Sequence, residues 1–234
     1  MKTIFFSLIF LILTISFGYA QGDFSYQATY RENILLDQEV VSGGYYVDPA
    51  KNIEGHPYFD LRNFEKGNIQ INGMLYTEVP LLYDIWQDEV LTFQPIHSKK
   101  ILIRADKVEQ FILEHTPKRI FIRLDENPGY TFHRNGYYEL LAGEELQLLT
   151  KHYKQTKANR DNLSYTDVFY EKSDFFLKKG NEIQLIRKRK QARDFLGLDN
   201  KALRDIFKGK NLRFKADKKA YLSVLVEYIN QKSQ

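Results

Sequence analysis

Between residues 67 and 186 the apolar positions mostly alternate. Val79, Leu81, Tyr83 and Ile85 fall on one face of such a run, and Glu78, Pro80, Leu82 and Asp84 fall on the other. A period of two is the side-chain period of extended backbone, so the run reads as a half-buried β-strand. The same signal recurs at Ile69 and Ile71, at Ile101 and Ile103, at Ile120, Ile122 and Leu124, and at Ile183 and Leu185. Turn residues separate these runs: Asn72-Gly73, Gln87-Asp88, Asn127-Pro128-Gly129, Ala142-Gly143 and Lys179-Gly180. Each stands where a hairpin would reverse the chain. The pattern predicts an antiparallel meander, either open or curled toward a half-barrel, and 17 Phe and 16 Tyr suit such pleated surfaces.

Two of the segments look alike. Tyr137-Tyr138 leads to Gly143 and then Leu146-Gln147-Leu148, and Phe175-Phe176 leads to Gly180 and then Ile183-Gln184-Leu185. No further copy occurs, so they read as two similar hairpins and not as a solenoid. Between them, residues 154–167 are polar and lack periodicity, which predicts a long exposed loop. Residues 21–66 are the least regular part: 32–41 fits strand or helix, and Gly43-Gly44, Pro49 and Gly55 break any regular pattern beyond it.

After Ile186 the period changes. Leu222, Leu225, Val226 and Ile229, flanked by Tyr221 and Tyr228, form an apolar stripe at helical spacing. Asp199 is placed to cap a second helix presenting Leu203, Ile206 and Phe207. A shorter helix over residues 188–196 would end at Gly197, which tolerates the left-handed conformation common at helix ends. Helices this short need packing against one another or against the sheet. The fold class is therefore α+β: a mainly-β domain over residues 21–186, followed by a helical lobe over 187–234 packed on the sheet.

The first 20 residues change the setting of everything after them. Lys2 precedes an apolar run from Ile4 to Phe17, closed by Gly18-Tyr19-Ala20, which is the pattern of a cleavable secretory signal peptide. The apolar stretch is shorter than the roughly 20 residues a membrane span needs. The reading is an exported protein whose mature chain begins near Gln21, destined for periplasm, cell surface or medium, with no transmembrane segment after cleavage. Cysteine is absent from all 234 residues. That excludes lipid attachment at an N-terminal cysteine, disulfides and thiol chemistry, so the fold must rest on its core. Charge is uneven along the chain. Residues 187–234 hold 14 Lys and Arg against 5 Asp and Glu, a net of +9, whereas residues 21–186 hold 19 against 25, a net of −6.

Candidate chemistry is sparse. His56, His97, His115, His133 and His152 lie far apart, and no pair has metal-ligand spacing. There is no G-x-S-x-G elbow, and Gly43-Gly44 lacks the lysine of a phosphate loop. Asp84, Asp88 and Glu89 cluster near one strand end, where paired carboxylates can work on a glycosidic bond, although acids at a hairpin end are ordinarily solvated turn residues. No catalytic residue, metal or cofactor is assigned.

The densest charge cluster is Arg187, Lys188, Arg189 and Lys190 with Arg193. Cations at a helix start oppose the helix dipole, so the run sits where it costs stability unless it serves another purpose. In an exported protein its partner is an anionic envelope component, a lipid headgroup phosphate or an acidic polysaccharide, and not nucleic acid. Trp86, the sole tryptophan, falls on the Leu82 and Asp84 face. It reads as a stacking platform for a sugar or peptide, or as cover for a second core layer. In a eukaryotic chain Asn162-Leu163-Ser164 would be a glycosylation acceptor, a pattern common by chance.

Several stretches resemble a family of uncharacterised exported proteins common in Bacteroidota. These are Leu75-Tyr76-Thr77-Glu78-Val79-Pro80-Leu81-Leu82-Tyr83-Asp84-Ile85 with Asp88, Lys172-Ser173-Asp174-Phe175-Phe176, and Ala220-Tyr221-Leu222 through Val226-Glu227-Tyr228-Ile229-Asn230. The resemblance implies export and general build, and it brings no functional residue with it. Three function classes stay open: a non-enzymatic envelope protein that binds an anionic component or another envelope protein, a hydrolase acting on envelope polymer, and a purely structural module. A pocket where carboxylates from separate strands converge would mark the second, and a large exposed apolar patch the third.

Overall fold

The computed structural model describes residues 39–115, 117–159 and 164–233. The signal-peptide reading, the ambiguous residues 32–38 and the sequon residues Asn162 and Leu163 lie outside these. The described residues form one compact unit containing eleven strands: β1 (Ile53–Glu54), β2 (Glu65–Ile71), β3 (Met74–Asp84), β4 (Glu89–Gln94), β5 (Lys99–Leu102), β6 (Val108–Leu113), β7 (Arg119–Arg123), β8 (Tyr137–Ala142), β9 (Leu146–Ala158), β10 (Asp167–Lys179) and β11 (Glu182–Leu185). Three helices complete it, α1 (Arg189–Phe195), α2 (Asn200–Ile206) and α3 (Lys218–Ser233). The chain is α+β, as its periodicities imply.

All eleven strands share one sheet in the order β1-β10-β9-β8-β7-β6-β2-β3-β4-β5, with β11 on β10. Every pairing is antiparallel except one. The short β1 runs parallel to β10, Ile53 opposite Asp167, which makes the sheet mixed. The sheet curls without closing into a barrel. Its curl is deep enough that the carbonyl of Ile85, just past β3, accepts from the amide of Lys154 on β9 at 3.2 Å. Three register shifts assist the bend, two on β2 and one between β8 and β9. At Gly67 a Cβ would meet the Ile112 carbonyl oxygen at 2.4 Å, so only glycine lets the strands approach this closely.

The enclosed face holds the main core. Val79, Leu81, Tyr83 and Ile85 are all buried in it with Ile69, Ile71, Phe111, Phe121 and Tyr137, as the alternation along β3 requires. Phe111 and Phe121 oppose each other across β6 and β7 with rings stacked 4.8 Å apart. Tyr83 meets both of them edge-on, and Tyr137 meets Phe111 in the same way. On β7 the inward residue is Phe121, while Ile122 and Leu124 pack with Tyr138, Leu149 and Phe176 on the opposite face. That face is covered by the loop before β8: Tyr130 meets Phe176 edge-on at 4.9 Å and Phe132 stacks on Tyr153 at 4.0 Å.

The Asn72-Gly73 turn has φ of 51° and 77°, the left-handed pair a two-residue hairpin demands. Both look-alike segments are hairpins, β8 to β9 and β10 to β11. The loop expected over 154–167 is much shorter. β9 runs on to Ala158 and β10 starts at Asp167, so residues 154–158 are strand, each paired with a residue of β10. They carry no alternation because little covers them: Thr156, Lys157 and Ala158 are exposed, and ladder hydrogen bonds alone hold the backbone extended.

The helices pack on the end of the sheet formed by β8, β9 and β10. Tyr221, Leu222, Leu225 and Val226 of α3 are buried with Leu146, Leu148 and Leu177, while Tyr228 faces outward, 38% exposed. Gly143, at φ 90°, lies so close beneath α3 that a Cβ would meet Val226 at 2.8 Å. Asn230 fastens the helix to β9, donating to the Leu146 carbonyl at 3.0 Å and accepting from its amide at 3.2 Å. Asp199 caps α2 through the Ala202 amide at 2.6 Å, and Gly197 ends the turn after α1 at φ 63°. No helix among the described residues is long and apolar enough to cross a membrane.

Candidate functional site

The acidic cluster near Trp86 is structural. Asp84 and Asp88 are not solvated turn residues; they are 0% and 1% exposed. Asp84 accepts from the Trp86 and Gln87 amides at 2.7 and 2.9 Å and from the Tyr46 hydroxyl at 2.6 Å, so it ties the β3–β4 turn together. Burial lifts its carboxyl above the usual range despite those donors. Asp88 pairs with the equally buried Lys151 at 2.6 Å and also accepts from Tyr83 and the Gly136 amide. Burial pulls the Lys151 amine below its ordinary value against the attraction of Asp88. Both carboxylates are consumed by internal partners, and neither opens on a cleft with the other.

Trp86 is half-buried. Its ring meets Phe169 of β10 edge-on at 5.5 Å, and its amide also reaches the Pro57 carbonyl at 3.3 Å. It therefore joins the β3–β4 turn to β10 as cover.

Residues 56–59 form a strap across the gap between β3 and β9. The Phe59 amide donates to Tyr83 and the Ile85 amide donates to Pro57, while the Lys154 ammonium reaches the carbonyls of His56 and Tyr58 at 3.1 and 2.6 Å. Burial, opposed by Glu171, keeps the Lys154 amine below its ordinary value. Phe59 inserts under the strap against Phe121 at 5.3 Å and His152 at 4.9 Å.

Beside Phe59 runs a cross-strand polar chain that the sequence did not single out. Glu139 on β8 accepts from Arg119 of β7 and from His152 Nε2 of β9, both at 2.7 Å, and His152 Nδ1 lies 2.9 Å from the hydroxyl of Ser173 on β10. Burial alone would raise Glu139, but the hydrogen bonds and charges of His152 and Arg119 hold it below the usual carboxylate range. Ser173 opposes His152 in the ladder. A hairpin register fixed at the tip would have revealed the pair, but the apparent loop over 154–167 hid it.

The basic run falls at the start of α1. Arg187, Lys188, Arg189 and Lys190 are exposed, whereas Arg193 turns aside to Asp194 at 2.6 Å and to Asn200. Arg189 lies beside the Tyr221 hydroxyl, and these two border a cleft of about 470 Å³ with Arg204 and Asn200 of α2. Leu203, Phe207 and Leu212 form its apolar lining. Phe207 stacks on Tyr221 at 4.0 Å, which gives the cleft a flat aromatic side. Neither Arg189 nor Arg204 has an ion-pair partner among the described residues.

A second cleft of about 380 Å³ is lined by side chains and backbone from residues 48–62 together with Lys100, Tyr165 and Phe169. Histidines 97, 115 and 133 belong to neither cleft, and no group of three His, Asp or Glu side chains fit to hold a metal occurs among the described residues.

The architecture defines a class: a curled, largely antiparallel sheet with a small basic helical lobe. Comparison with protein-family models, with curated proteins and with solved structures finds no match for this chain.

Proposed function

We propose that this is an exported, non-enzymatic envelope protein whose helical lobe binds an anionic amphiphile, a lipid with a phosphate headgroup. One observation carries the reading: Arg189 and Arg204, both free of ion pairs among the described residues, border one cleft together with Leu203, Phe207 and Leu212. Two arginines present planar donors that match phosphate oxygens. An apolar lining beneath them suits an acyl chain or glycerol backbone, which an acidic polysaccharide lacks. The exposed Arg187, Lys188 and Lys190 extend the same positive field, and Arg193, neutralised by Asp194, adds little.

The test is flotation with phosphatidylcholine vesicles, with and without phosphatidylglycerol. Binding is expected only to the anionic vesicles and weakens with salt. At about 1 kcal/mol per cation near such a surface, the double variant Arg189→Gln/Arg204→Gln loses roughly 30-fold in affinity, and Arg193→Gln retains binding. No binding by the native protein, or full binding by the double variant, overturns the reading.

A second reading, an ester hydrolase, rests on the Ser173–His152–Glu139 chain. In it the Ser173 hydroxyl attacks an ester carbonyl while its proton passes to His152 Nδ1; the alcohol leaves with that proton, and water releases the acyl group. A fluorophosphonate probe is then expected to label the native protein and not Ser173→Ala. Absence of labelling in the native protein removes this reading and leaves the first untouched.

A further inference from the structure

The second cleft has a different chemistry from the first. Its volume of about 380 Å³ is near the lower end of the roughly 300–1,000 Å³ range of small-molecule sites, which suits one or two rings and not a polymer or an acyl chain. Three features converge on it. Lys51 and Arg62 border it, both exposed and neither in an ion pair among the described residues. Arg62 is held in place by the Gly55 carbonyl at 2.6 Å. Lys100 also borders it, but its charge is offset by Asp48, so the unneutralised charge facing the cleft is that of Lys51 and Arg62.

The second feature is a fixed polar corner. The Tyr58 hydroxyl donates to Asp48 Oδ1 at 2.6 Å, and the Lys100 ammonium bonds both Asp48 Oδ1 and the Tyr58 oxygen. The same ammonium lies over the Tyr58 ring, 5.0 Å from its centroid. Asp48 Oδ2 carries no partner among the described residues, so a preformed acceptor stands beside the cations. His56 Nδ1 is buried and without a hydrogen-bond partner among the described residues. Burial, then the charges of Lys154 and Arg62, hold the His56 imidazole below its ordinary value.

The third feature is the wall. Tyr165 and Phe169, both half-buried, stand in the lining with Pro49 and Pro57. Aromatic faces carry partial negative charge and favour the positive C–H edges of an apposed ring. Cations for one anionic group, an acceptor for hydroxyls and an aromatic wall for a C–H face together describe an acidic sugar.

We propose that this cleft is a binding site for a pyranose bearing a single anionic group, a carboxylate or a phosphate, independent of the lipid-binding lobe. Trp86 packs edge-on against Phe169, so the only tryptophan in the chain touches the wall of the site and reports on it. The experiment is titration of the full mature chain with glucuronate, glucose 6-phosphate, glucose, inorganic phosphate and adenosine monophosphate, read by tryptophan fluorescence and calorimetry.

A saturable response to glucuronate or glucose 6-phosphate is expected, and whichever of the two binds more tightly identifies the source of the charge. Glucose binds at least tenfold more weakly. Lys51→Gln and Arg62→Gln, both at exposed positions, each weaken the acidic sugar by about tenfold while melting as the native protein does, and Arg189→Gln/Arg204→Gln leaves it unchanged. The proposal is overturned if neither acidic sugar gives a saturable signal, if inorganic phosphate or the nucleotide binds as tightly, or if the two cleft variants bind like the native protein.

Discussion

Lys151→Met is expected to lower the free energy of unfolding by about 3–5 kcal/mol, the usual cost of breaking a buried ion pair by removing one partner. The two side chains are 1% and 2% exposed, so no water replaces the lost ammonium beside Asp88. Asp88 would retain Tyr83 and the Gly136 amide as donors, which limits the loss but does not neutralise the charge. Lys151 also donates to the Tyr137 carbonyl at 2.9 Å, so the variant removes that hydrogen bond as well. The double variant Lys151→Met/Asp88→Asn is therefore expected to be less destabilised than the sum of the two single changes, because the asparagine removes the orphaned charge. Urea melts of the four proteins measure this. A cost below about 1 kcal/mol for Lys151→Met would mean that water reaches Asp88 or that the pair is neutral.

Phe121→Ala is expected to cost about 3–5 kcal/mol, because a buried aromatic truncated to alanine loses its transfer energy and leaves a cavity. The ring is 1% exposed and stands among Phe59, Tyr83, Phe111 and His152, so several rings would have to shift to refill the space. Its neighbour Ile120, on the other face and only half-buried, is the control, with a smaller loss expected from Ile120→Ala. Because Phe59 belongs to the strap and Tyr58 lines the second cleft, Phe121→Ala should also loosen the strap. Faster amide exchange over residues 56–62 is the expected signature. Equal costs for Phe121→Ala and Ile120→Ala would contradict the enclosed core.

The sheet was legible wherever one face is wet and the other dry. On β3 the alternation named the four inward residues correctly, since the outward Glu78 and Pro80 contrast with them. On β7 it picked Ile120 and Ile122, because both faces of that strand are covered and period two loses its meaning there. The α3 stripe, the Asp199 cap and the Gly197 stop were readable because each depends on local chemistry. The tail of β9 was not: Thr156 to Ala158 are held by the ladder with β10 and by no buried side, so nothing in their polarity distinguishes them from a loop.

The sites divide along the same line. Arg189 was visible as part of a charge run, but Arg204 was not, as only the folded lobe brings it to the same cleft. Their position at a hairpin end makes Asp84 and Asp88 look solvated, but a turn in sequence need not be a turn at the surface, and here the turn is enclosed. The second cleft is assembled from the region that showed no periodicity. Pro49, Gly55 and Pro57 break regular structure there, and the resulting irregular backbone supplies most of the cleft's lining.

The parallel seam between β1 and β10 has a consequence for the order in which the molecule is made. Asn52 Nδ2 donates to Thr166 Oγ1 at 2.7 Å, and the two residues are 114 positions apart. A ribosome delivers the N-terminal partner long before the C-terminal one, and a contact of such separation must wait while entropy favours the open chain. The strap takes its anchor from Lys154 of β9 and the second cleft takes Phe169 from β10, so neither is complete until those strands have been made. The earliest-synthesised part of the described fold therefore cannot complete its contacts until β10, more than a hundred residues later, has been made.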